Sequence, residues 1–521
     1  MTQPRNAAAE TFRRAIEHHR AGRLQQAEAE YRRVLAAVPE HADSLHLLGI
    51  IATQSGRSDA AIQLIGTAIR IQPFVPDYHN NLGLALSALD RLTEAEASYR
   101  DAIRLKPDFA EARNNLGNAL KDLRRPDEAE RYYRAALKLR PDYAAAHNNL
   151  GTVLAARERL DEAIDCYRTA IGLDPDYPEA FNNLANALRG LGRHDEAETC
   201  CRRALALDPG YAEAHYNLGW ALLLTGRFEE GWHEFEWRWR LKSSRQCRIP
   251  TQPRWTGEPL GERVLLLQAE QGAGDSFMFC RYAPLAAERG RVVLEVPKPL
   301  VRLFSGLPGV EQVVAAGEAR PEFDVHCPLL SLPLAFGTTL ATIPADLPYL
   351  SADRRLAEDW RRRLADLDGL RVGIVWAGNP EQPDDARRSI APDRLAVFAG
   401  LSGISFVSLQ KGGTVPPPLP MTDWTAELDD YADTAALIDG LDLVIGVDTG
   451  IVHLAAALGK PVWLLNRFDP YFAWLTRRDD CPWYPGLRQF RQQRPGDWAG
   501  VLGAARLALI ERAAVRASSG S

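Results

Sequence analysis

The residues best suited to chemistry follow an apolar stretch at 443–447 that is predicted to be a strand. Asp448, Thr449 and Gly450 come directly after it, and His453 lies one turn into the helix predicted to follow. Asp and Thr are favoured at a helix N-cap, and Gly lets a ligand approach the backbone. Because free N–H groups at a helix N-terminus bind phosphate, the pattern predicts a phosphate site to which His453 would add a donor. The alternative is that Asp448 and Thr449 only cap the helix and that His453 is a satisfied, half-buried residue.

A second polar turn carries Gly272, Gly274 and Asp275 between another predicted strand and its helix. A lone G-x-G-D turn is a weak motif, and the third Gly and the distant acid of a dinucleotide site are missing, so NAD binding is not predicted. Asp275 is either a helix cap or a general base that removes a proton from an acceptor hydroxyl.

A third polar segment follows the strand predicted at 371–376. Arg388 and its neighbour Ser389 are assigned to phosphate binding because a guanidinium fits phosphate oxygens in a fork, and Asn379 is assigned to the same ligand. Lys411, which follows a further predicted strand, is a weaker candidate for binding the same ligand. The alternative for a pair of Arg residues on a loop is a solvated face.

These turns are positioned by short apolar runs that alternate with helical patterns, which is typical of parallel βαβ units. The runs form two series, joined by a charged helical segment at 352–369 and closed by a helix near 498–512. Predicted strands in the first series are 264–268, 292–296, 310–314 and the FDVHC segment, and those in the second are 371–376, 404–410, 441–447 and 461–465. Two Rossmann-like halves imply a cleft, and ligands bind at the carboxyl ends of such strands.

The N-terminal part is governed by a repeat. Leu-Gly or Leu-Ala pairs recur every 34 residues, beginning at Leu48, Leu82, Leu116, Leu150, Leu184 and Leu218. In the units that follow the frame, Ala and then Pro occur at fixed distances after each pair, so that small residues let two helices approach and Pro ends the second helix. This resembles the tetratricopeptide repeat, over roughly residues 8–242, and a repeat of that kind presents a concave face to a partner.

Asparagine recurs immediately before the Leu of these pairs, where packing does not require it. The residues are Asn81, Asn115, Asn149, Asn183 and Asn217, and a second Asn precedes the first four of them. In the repeat frame they lie on the first helix, which lines the concave side, and an amide can meet both polar groups of a peptide backbone. We therefore assign them to binding of an extended polypeptide. The alternative is that they bond between neighbouring repeats.

The last repeat departs from the pattern, with Gly231 in place of Ala and Ser243 in place of Pro. It is rich in aromatic residues, which are expected to seal the array against the next domain. A later aromatic cluster at 481–485 could stack a base, although packing is its more ordinary role.

Composition excludes several classes of protein. The 521 residues carry 62 basic and 68 acidic side chains, a formal net charge of −6, which argues against nucleic-acid binding. No secretory signal and no apolar run long enough to span a membrane are present in the sequence. The seven Cys show no zinc-binding spacing. We expect reduced thiols in a cytoplasmic protein that needs no cofactor or metal.

At its motifs, the second half is similar to GT-B glycosyltransferases, and above all to the heptosyltransferase family, over roughly residues 262–510. The resemblance implies that Asp448, Thr449, Gly450 and His453 bind the donor diphosphate, that Asp275 is the base and that Arg388 lies near the phosphates. It also implies inverting, metal-independent transfer from a nucleotide sugar. A repeat array before such a domain resembles the O-GlcNAc transferase layout and that of bacterial flagellin glycosyltransferases.

The sequence thus predicts an all-α tetratricopeptide superhelix followed by an α/β GT-B-like double Rossmann domain. The expected function is transfer of a sugar to Ser or Thr of a protein held by the repeats, flagellin being one example. The alternatives are a glycosyltransferase acting on lipid or polysaccharide, with repeats that recruit a partner, and a scaffold with a degenerate GT-B domain. The predicted domains are the array at 8–242, a linker at 243–261, a short first half at 262–350, a connecting helix at 351–370, a second half at 371–512 and a flexible tail at 513–521.

Overall fold

The computed structural model describes residues 3–241, 250–382, 385–412, 415–476, 478 and 480–519. They divide after Ala187 into two compact units, of which the second runs from Leu188 to the C-terminal end. Ser243, Cys247 and the first part of the predicted linker lie outside the described residues. The domain boundaries given above stay predictions.

The N-terminal region consists of consecutive antiparallel helix pairs. Its helices are α1 (Gln3–Arg20), α2 (Leu24–Ala37), α3 (Ala42–Gln54), α4 (Ser58–Ile71), α5 (Pro76–Ser87), α6 (Leu92–Leu105), α7 (Ala110–Asp122), α8 (Pro126–Leu139), α9 (Ala144–Ala156), α10 (Leu160–Leu173), α11 (Pro178–Gly190), α12 (His194–Leu207), α13 (Ala212–Leu224) and α14 (Phe228–Phe235). The 34-residue period therefore corresponds to one helix pair, as the sequence predicted.

Glycine on the first helix of a pair makes room for a buried tyrosine on the second. A Cβ at Gly117 would lie 2.6 Å from a ring carbon of Tyr133, and one at Gly151 would lie 2.7 Å from Tyr167. Both tyrosines are almost completely buried. The Gly of these two Leu-Gly pairs is thus needed because the Tyr ring of the second helix occupies the space next to its Cα.

Successive repeats are also joined by ion pairs that the sequence analysis did not identify. An Arg just before the second helix of one repeat contacts a Glu on the second helix of the repeat before it. The pairs are Arg57–Glu28 at 2.9 Å, Arg125–Glu96 at 2.7 Å, Arg159–Glu130 at 2.9 Å and Arg227–Glu198 at 2.6 Å. Each Arg side chain is partly exposed and each pair contributes little alone, but the series helps to fix the register of the stack.

The second unit contains a first parallel sheet of four strands, in the order β3-β2-β1-β4. The strands are β1 (Val264–Gln268), β2 (Arg291–Val296), β3 (Val310–Ala315) and β4 (Val325–Pro328). The helices between and after them are α15 (Ala273–Phe279), α16 (Tyr282–Ala287), α17 (Val301–Phe304) and α18 (Leu332–Ala335). The helix that the sequence predicts after the turn with Asp275 is two short helices, α15 and α16.

A second parallel sheet of six strands has the order β10-β9-β8-β5-β6-β7. Its strands are β5 (Leu370–Val375), β6 (Ile404–Ser408), β7 (Thr422–Asp423), β8 (Leu443–Val447), β9 (Val462–Asn466) and β10 (Arg488–Arg491). The helices are α19 (Arg354–Leu364), α20 (Asp385–Arg388), α21 (Tyr431–Asp439), α22 (Gly450–Ala457) and α23 (Trp498–Ser519). Helix α23 runs further than the helix predicted near 498–512.

The predicted fold class is confirmed, with an all-α array of helix pairs followed by an α/β region with two parallel sheets. The central strands of both sheets are buried on both faces, which explains why they appear in the sequence as unbroken apolar runs. None of the described helices is long and apolar enough to cross a lipid bilayer.

Aromatic residues of the last repeat pack into the core of the α/β region, as predicted. Trp232 of α14 is 2% exposed and makes edge-to-face contacts with Phe279, Phe472 and Trp483. The 481–485 cluster is part of the same core, because Trp483 and Tyr484 are completely buried. Its role is therefore packing.

One buried cation joins the two sheet-containing halves. The Arg281 guanidinium, 4% exposed, donates to the carbonyl oxygens of Met278, Pro344 and Trp483 and to the hydroxyl of Tyr349. Met278, Pro344 and Tyr349 belong to the first half, and Trp483 belongs to the second half. Arg281 is neutralised by oxygen dipoles and lies against the rings of Tyr349, Trp483 and Tyr484.

Candidate functional site

The polar turns predicted from sequence lie at the carboxyl edges of the two sheets, at the points where strand order reverses. In the second sheet β5 and β8 are neighbours, and the chain leaves them in opposite directions. In the first sheet the same reversal occurs between β1 and β4. Crevices at such reversals are where open α/β sheets bind ligands. Thr449 follows β8 and Asp275 follows β1, so both stand at a reversal point.

The two turns touch each other. A Cβ added to Gly274 would lie 3.1 Å from Cδ2 of His453, and one added to Gly450 would lie 3.4 Å from the backbone N of Gly274. The N-terminal ends of α15 and α22 are therefore packed together, and a side chain at Gly274 would crowd His453. The predicted base and the predicted phosphate turn are brought to one place.

Asp275 is the third residue of α15, whose N-cap is Gly272. Its carboxylate accepts a hydrogen bond from the Tyr471 hydroxyl at 2.6 Å and another from the Gly272 backbone N–H. Burial raises the pKa of Asp275 and Asp448 adds to this, whereas Tyr471 and His453 oppose the rise. The result is a carboxyl group poised closer to neutrality than an ordinary Asp, as a general base requires. The alternative, in which Asp275 only caps the helix, accounts for the bond from the Gly272 N–H but not for the bond from Tyr471.

His453 is turned into the protein rather than toward open solvent. It is 3% exposed, its Nδ1 lies 2.9 Å from the Tyr484 hydroxyl and its Nε2 lies 3.7 Å from Asp448 Oδ1. Burial favours a raised pKa for Asp448, but contact with His453 and the charge of Arg467 outweigh it, and the pKa is lowered. In this geometry His453 orients Asp448. This agrees better with the alternative of a satisfied, buried His453 than with the prediction that it donates to a ligand.

Thr449 is the N-cap of α22, yet its side chain makes no capping hydrogen bond. Its Oγ1 is buried and has no partner among the described residues. Buried hydroxyl groups almost always find a partner, so one left open beside a helix N-terminus is suited to a ligand oxygen. Of the predicted phosphate contacts, Thr449 and Gly450 have the most suitable geometry.

The loop after β5 is organised by a buried acid. Asp385 accepts hydrogen bonds from Arg388 Nε at 2.9 Å and from the Ser389 hydroxyl at 2.8 Å, and Ser389 Oγ accepts from the Gly378 N–H. Arg388 and Ser389 are thus held in one cluster. Asn379 is exposed and its side chain accepts from the Glu381 N–H.

Lys411 lies at the carboxyl edge of β6, is exposed, and donates to the Leu428 carbonyl. No described contact brings Lys411 or Asn379 to the turns around Asp275 and Thr449. Their assignment to the ligand stays a prediction.

Several residues of the site were missed by sequence reasoning. The chain after β9 contributes Tyr471 and also Asp469, which is buried and forms an ion pair with Arg387 at 3.1 Å. The rule used for the other strands, that chemistry follows a strand, would have identified this segment too. Tyr471 has no local signal of its own, because its contact with Asp275 is distant in sequence.

Glu270 was missed as well. It follows β1, and its Oε1 accepts from Arg238 Nη2 at 3.0 Å and from the Leu330 N–H at 3.3 Å. Burial raises the pKa of Glu270 to about 7, against the opposing effect of Arg238. A second perturbed carboxyl therefore lies electrostatically coupled to Asp275.

The asparagine series forms bonds between repeats. The Nδ2 of Asn115 donates to Asn80 Oδ1 at 3.0 Å, Asn149 donates to Asn114 at 3.0 Å and Asn183 donates to Asn148 at 2.9 Å. The acceptor residues are buried, whereas the donors are partly exposed. Asn81 follows a variant of this pattern, with Nδ2 2.7 Å from His46 Nε2. These asparagines therefore do bond between neighbouring repeats, as the alternative stated. The side-chain oxygens of the donor amides are not used in these bonds.

The C-terminal match among protein-family models is to glycosyltransferase family 9 (heptosyltransferase), over residues 430–465, which contain α21, β8, α22 and β9. Tetratricopeptide repeat models match residues 12–76, 88–123, 114–178, 178–211 and 200–233. The chain thus combines tetratricopeptide repeats with a glycosyltransferase-like C-terminal region.

Protein FlbA of Caulobacter vibrioides is 29% identical over 317 residues, which cover 55% of this chain and 53% of FlbA. The chain spans about half the length of this curated relative. Among solved structures, Pseudomonas aeruginosa PilF matches 41% of this chain and 97% of its own at 18% identity, with a TM-score of 0.37. MamA matches 31% of this chain and 94% of its own at 22% identity, with a TM-score of 0.29.

Proposed function

We propose that this protein is a glycosyltransferase that moves a sugar from a nucleotide-sugar donor to a hydroxyl of a polypeptide bound by the repeats. The observation that carries the proposal is the meeting of two turns, with Asp275 on one and, on the other, the Thr449 hydroxyl, which has no hydrogen-bond partner among the described residues. The family 9 match includes the first of these turns.

The donor diphosphate is assigned to the N-terminal end of α22. Thr449 Oγ1 and the N–H groups that open the helix supply donors, and Gly450 offers no side chain that would exclude a phosphate. The negative charge that develops on the leaving diphosphate is the main quantity that a transferase must stabilise, and preorganised donors do this best. Arg388 adds positive charge from the loop after β5.

Asp275 is assigned the role of general base. The acceptor oxygen attacks the anomeric carbon while its proton passes to the Asp275 carboxylate, and the bond from that carbon to the diphosphate oxygen breaks. Attack from the side opposite the leaving group would invert the configuration at the anomeric carbon. Burial raises the pKa of Asp275, which makes its carboxylate a stronger proton acceptor than that of an exposed Asp.

The polypeptide acceptor is assigned to the asparagine series. Because each donor amide is fixed by a bond from its Nδ2 to the preceding repeat, its orientation is set before a ligand arrives. A preorganised amide loses little entropy when it binds a peptide backbone. Holding the chain at several points raises the local concentration of its hydroxyl groups.

The experiment that tests the proposal uses the full-length chain, a panel of radiolabelled nucleotide sugars and extract from a strain that lacks this protein. We expect label on a polypeptide, released by mild alkali as expected for sugars on Ser or Thr, and no label with Asp275→Asn. Asp366→Asn, which changes an exposed acid in the connecting segment, is the matched control and retains transfer.

Two outcomes would contradict the proposal. Label found only in the lipid or polysaccharide fraction would replace the polypeptide acceptor by the corresponding alternative. No label in any fraction, together with no calorimetric affinity for UDP, ADP or GDP, would indicate a scaffold with a degenerate domain.

A further inference from the structure

The Tyr471 hydroxyl makes the shortest described contact with the candidate base, 2.6 Å from its Oδ1. Tyr471 follows β9, whereas Asp275 belongs to the first half of the α/β region, so the bond spans the two halves. The Tyr471 side chain is partly exposed, as expected for a residue at the wall of a cleft.

Tyr471 is in turn held by the last complete repeat. The Trp220 ring on α13 meets the rings of Tyr471 and Phe472 edge to face, at centroid distances of 5.3 and 5.4 Å. Phe472 is completely buried and packs against Phe235 and Trp232. Helix α13 of the array is therefore linked to the Asp275 carboxylate. The links are the contacts of Trp220 with Tyr471 and Phe472 and the hydrogen bond from Tyr471 to Asp275.

We propose that Tyr471 is a positioning residue for Asp275 and that Trp220 of the repeat array holds Tyr471 in place, which makes the last repeat part of the catalytic centre. This inference rests on the proposed function and adds to it a role for the array other than binding. It assigns to Trp220 a contact that an array serving only as a tether would not need.

The expected effect on titration follows from the groups around Asp275. Tyr471 faces it from the chain after β9, Asp448 and His453 face it from β8 and α22, and Glu270 faces it from the chain after β1. Of these, the Tyr471 hydrogen bond favours the ionised carboxylate, so its loss raises the pKa of Asp275. A base is active when ionised, and the acid limb of the rate profile must then move to higher pH.

The test compares wild type with Tyr471→Phe over a range of pH, using the nucleotide sugar and polypeptide that the transfer assay identifies. We expect the acid limb of kcat/KM to move up by about one pH unit, because a hydrogen bond to a charged group is worth about one to two units of pKa. Tyr431→Phe is the control, since Tyr431 packs against Phe277 of the same helix α15 but makes no described bond to Asp275.

Trp220 is tested with two variants. Trp220→Ala removes the edge-to-face contacts, and we expect kcat to fall about 10-fold or more with the acid limb displaced in the same direction. Trp220→Phe keeps an aromatic edge and should recover most of the rate. Thermal unfolding of each variant separates loss of fold from loss of positioning.

The results distinguish the inference from the proposed function. Wild type that transfers no sugar would overturn the proposed function and this inference with it. Active wild type with an unmoved Tyr471→Phe profile would overturn the inference alone, as would a Trp220→Ala variant that changes KM only. A folded Tyr471→Phe variant with the displaced limb supports it.

Discussion

Replacement of Gly117 by Ala should destabilise the repeat array, although alanine is the better helix former. In a helix Ala is favoured over Gly by about 1 kcal/mol. At this position, however, the new methyl carbon would lie 2.6 Å from a Tyr133 ring carbon. Tyr133 is completely buried and its hydroxyl is fixed to Asn118 Oδ1 at 2.7 Å, so the ring has little freedom to move away. Overpacking of this kind costs about 1–3 kcal/mol, and we expect a net loss of up to about 2 kcal/mol.

Gly66→Ala is the matched control. Gly66 lies within α4, and a Cβ there would have no neighbour within 4 Å. The same substitution should therefore stabilise this helix by up to about 1 kcal/mol. The two variants are predicted to change stability in opposite directions.

The assay is native-state hydrogen exchange of the full-length chain, read for peptides of α4, α7 and α8, since a repeat array need not unfold in one step. A compensating variant makes this test more specific. In the repeat that has Ala185, the residue at the Tyr133 position is Cys201. Tyr133→Cys should make Gly117→Ala less costly in a double-mutant cycle. Protection in α7 and α8 that rises with Gly117→Ala would refute the reasoning.

Three further predictions concern single polar groups. Thr449→Val should leave the thermal midpoint unchanged, since its hydroxyl has no described partner, and weaken UDP or ADP binding by about 10-fold or more in calorimetry. Glu270→Gln should remove a pH dependence of stability. Because the pKa of Glu270 is raised to about 7 in the folded state, the free energy of unfolding is highest below about pH 4.5. It falls by on the order of 3 kcal/mol as pH rises through about 7, as measured by urea unfolding. Asn149→Asp should destabilise α7–α9 by about 1–3 kcal/mol near neutral pH, with recovery in acid, because a carboxylate cannot donate to Asn114 Oδ1. Equal stability of this variant at both pH values would contradict that bond.

The parts of the fold that sequence predicted well are those with a strong local pattern. The 34-residue period is local, and so are the buried runs of β1, β8 and β9, which became strands with nearly the predicted bounds. The two-residue strand β7 and the polar strand β10 were not predicted, because neither has an apolar run. The break between α15 and α16 does have a sequence signal, because Pro284 has no N–H to donate to the Cys280 carbonyl and is tolerated only in the first turn of a new helix.

The site was predictable as far as each residue adjoins a strand. Thr449 and Gly450 come shortly after β8, Asp275 lies in the first turn of the helix that follows β1, and the structure brings them together. Tyr471 could not be found in this way, because its meaning depends on a contact across the two halves. His453 was placed on the correct helix, but the direction of its ring is set by Tyr484, which no local pattern reveals.

The buried guanidinium of Arg281 has a consequence for how substrates could enter and leave. Three of its four oxygen partners belong to the first half, and the fourth, the Trp483 carbonyl, belongs to the second. Drawing the halves straight apart would break the bond from Arg281 to the Trp483 carbonyl and leave a buried cation with one acceptor fewer, which is costly. Smaller rotations that leave that bond intact are far cheaper. The bond from Arg281 to Trp483 therefore favours a rotation of the two halves over their straight separation.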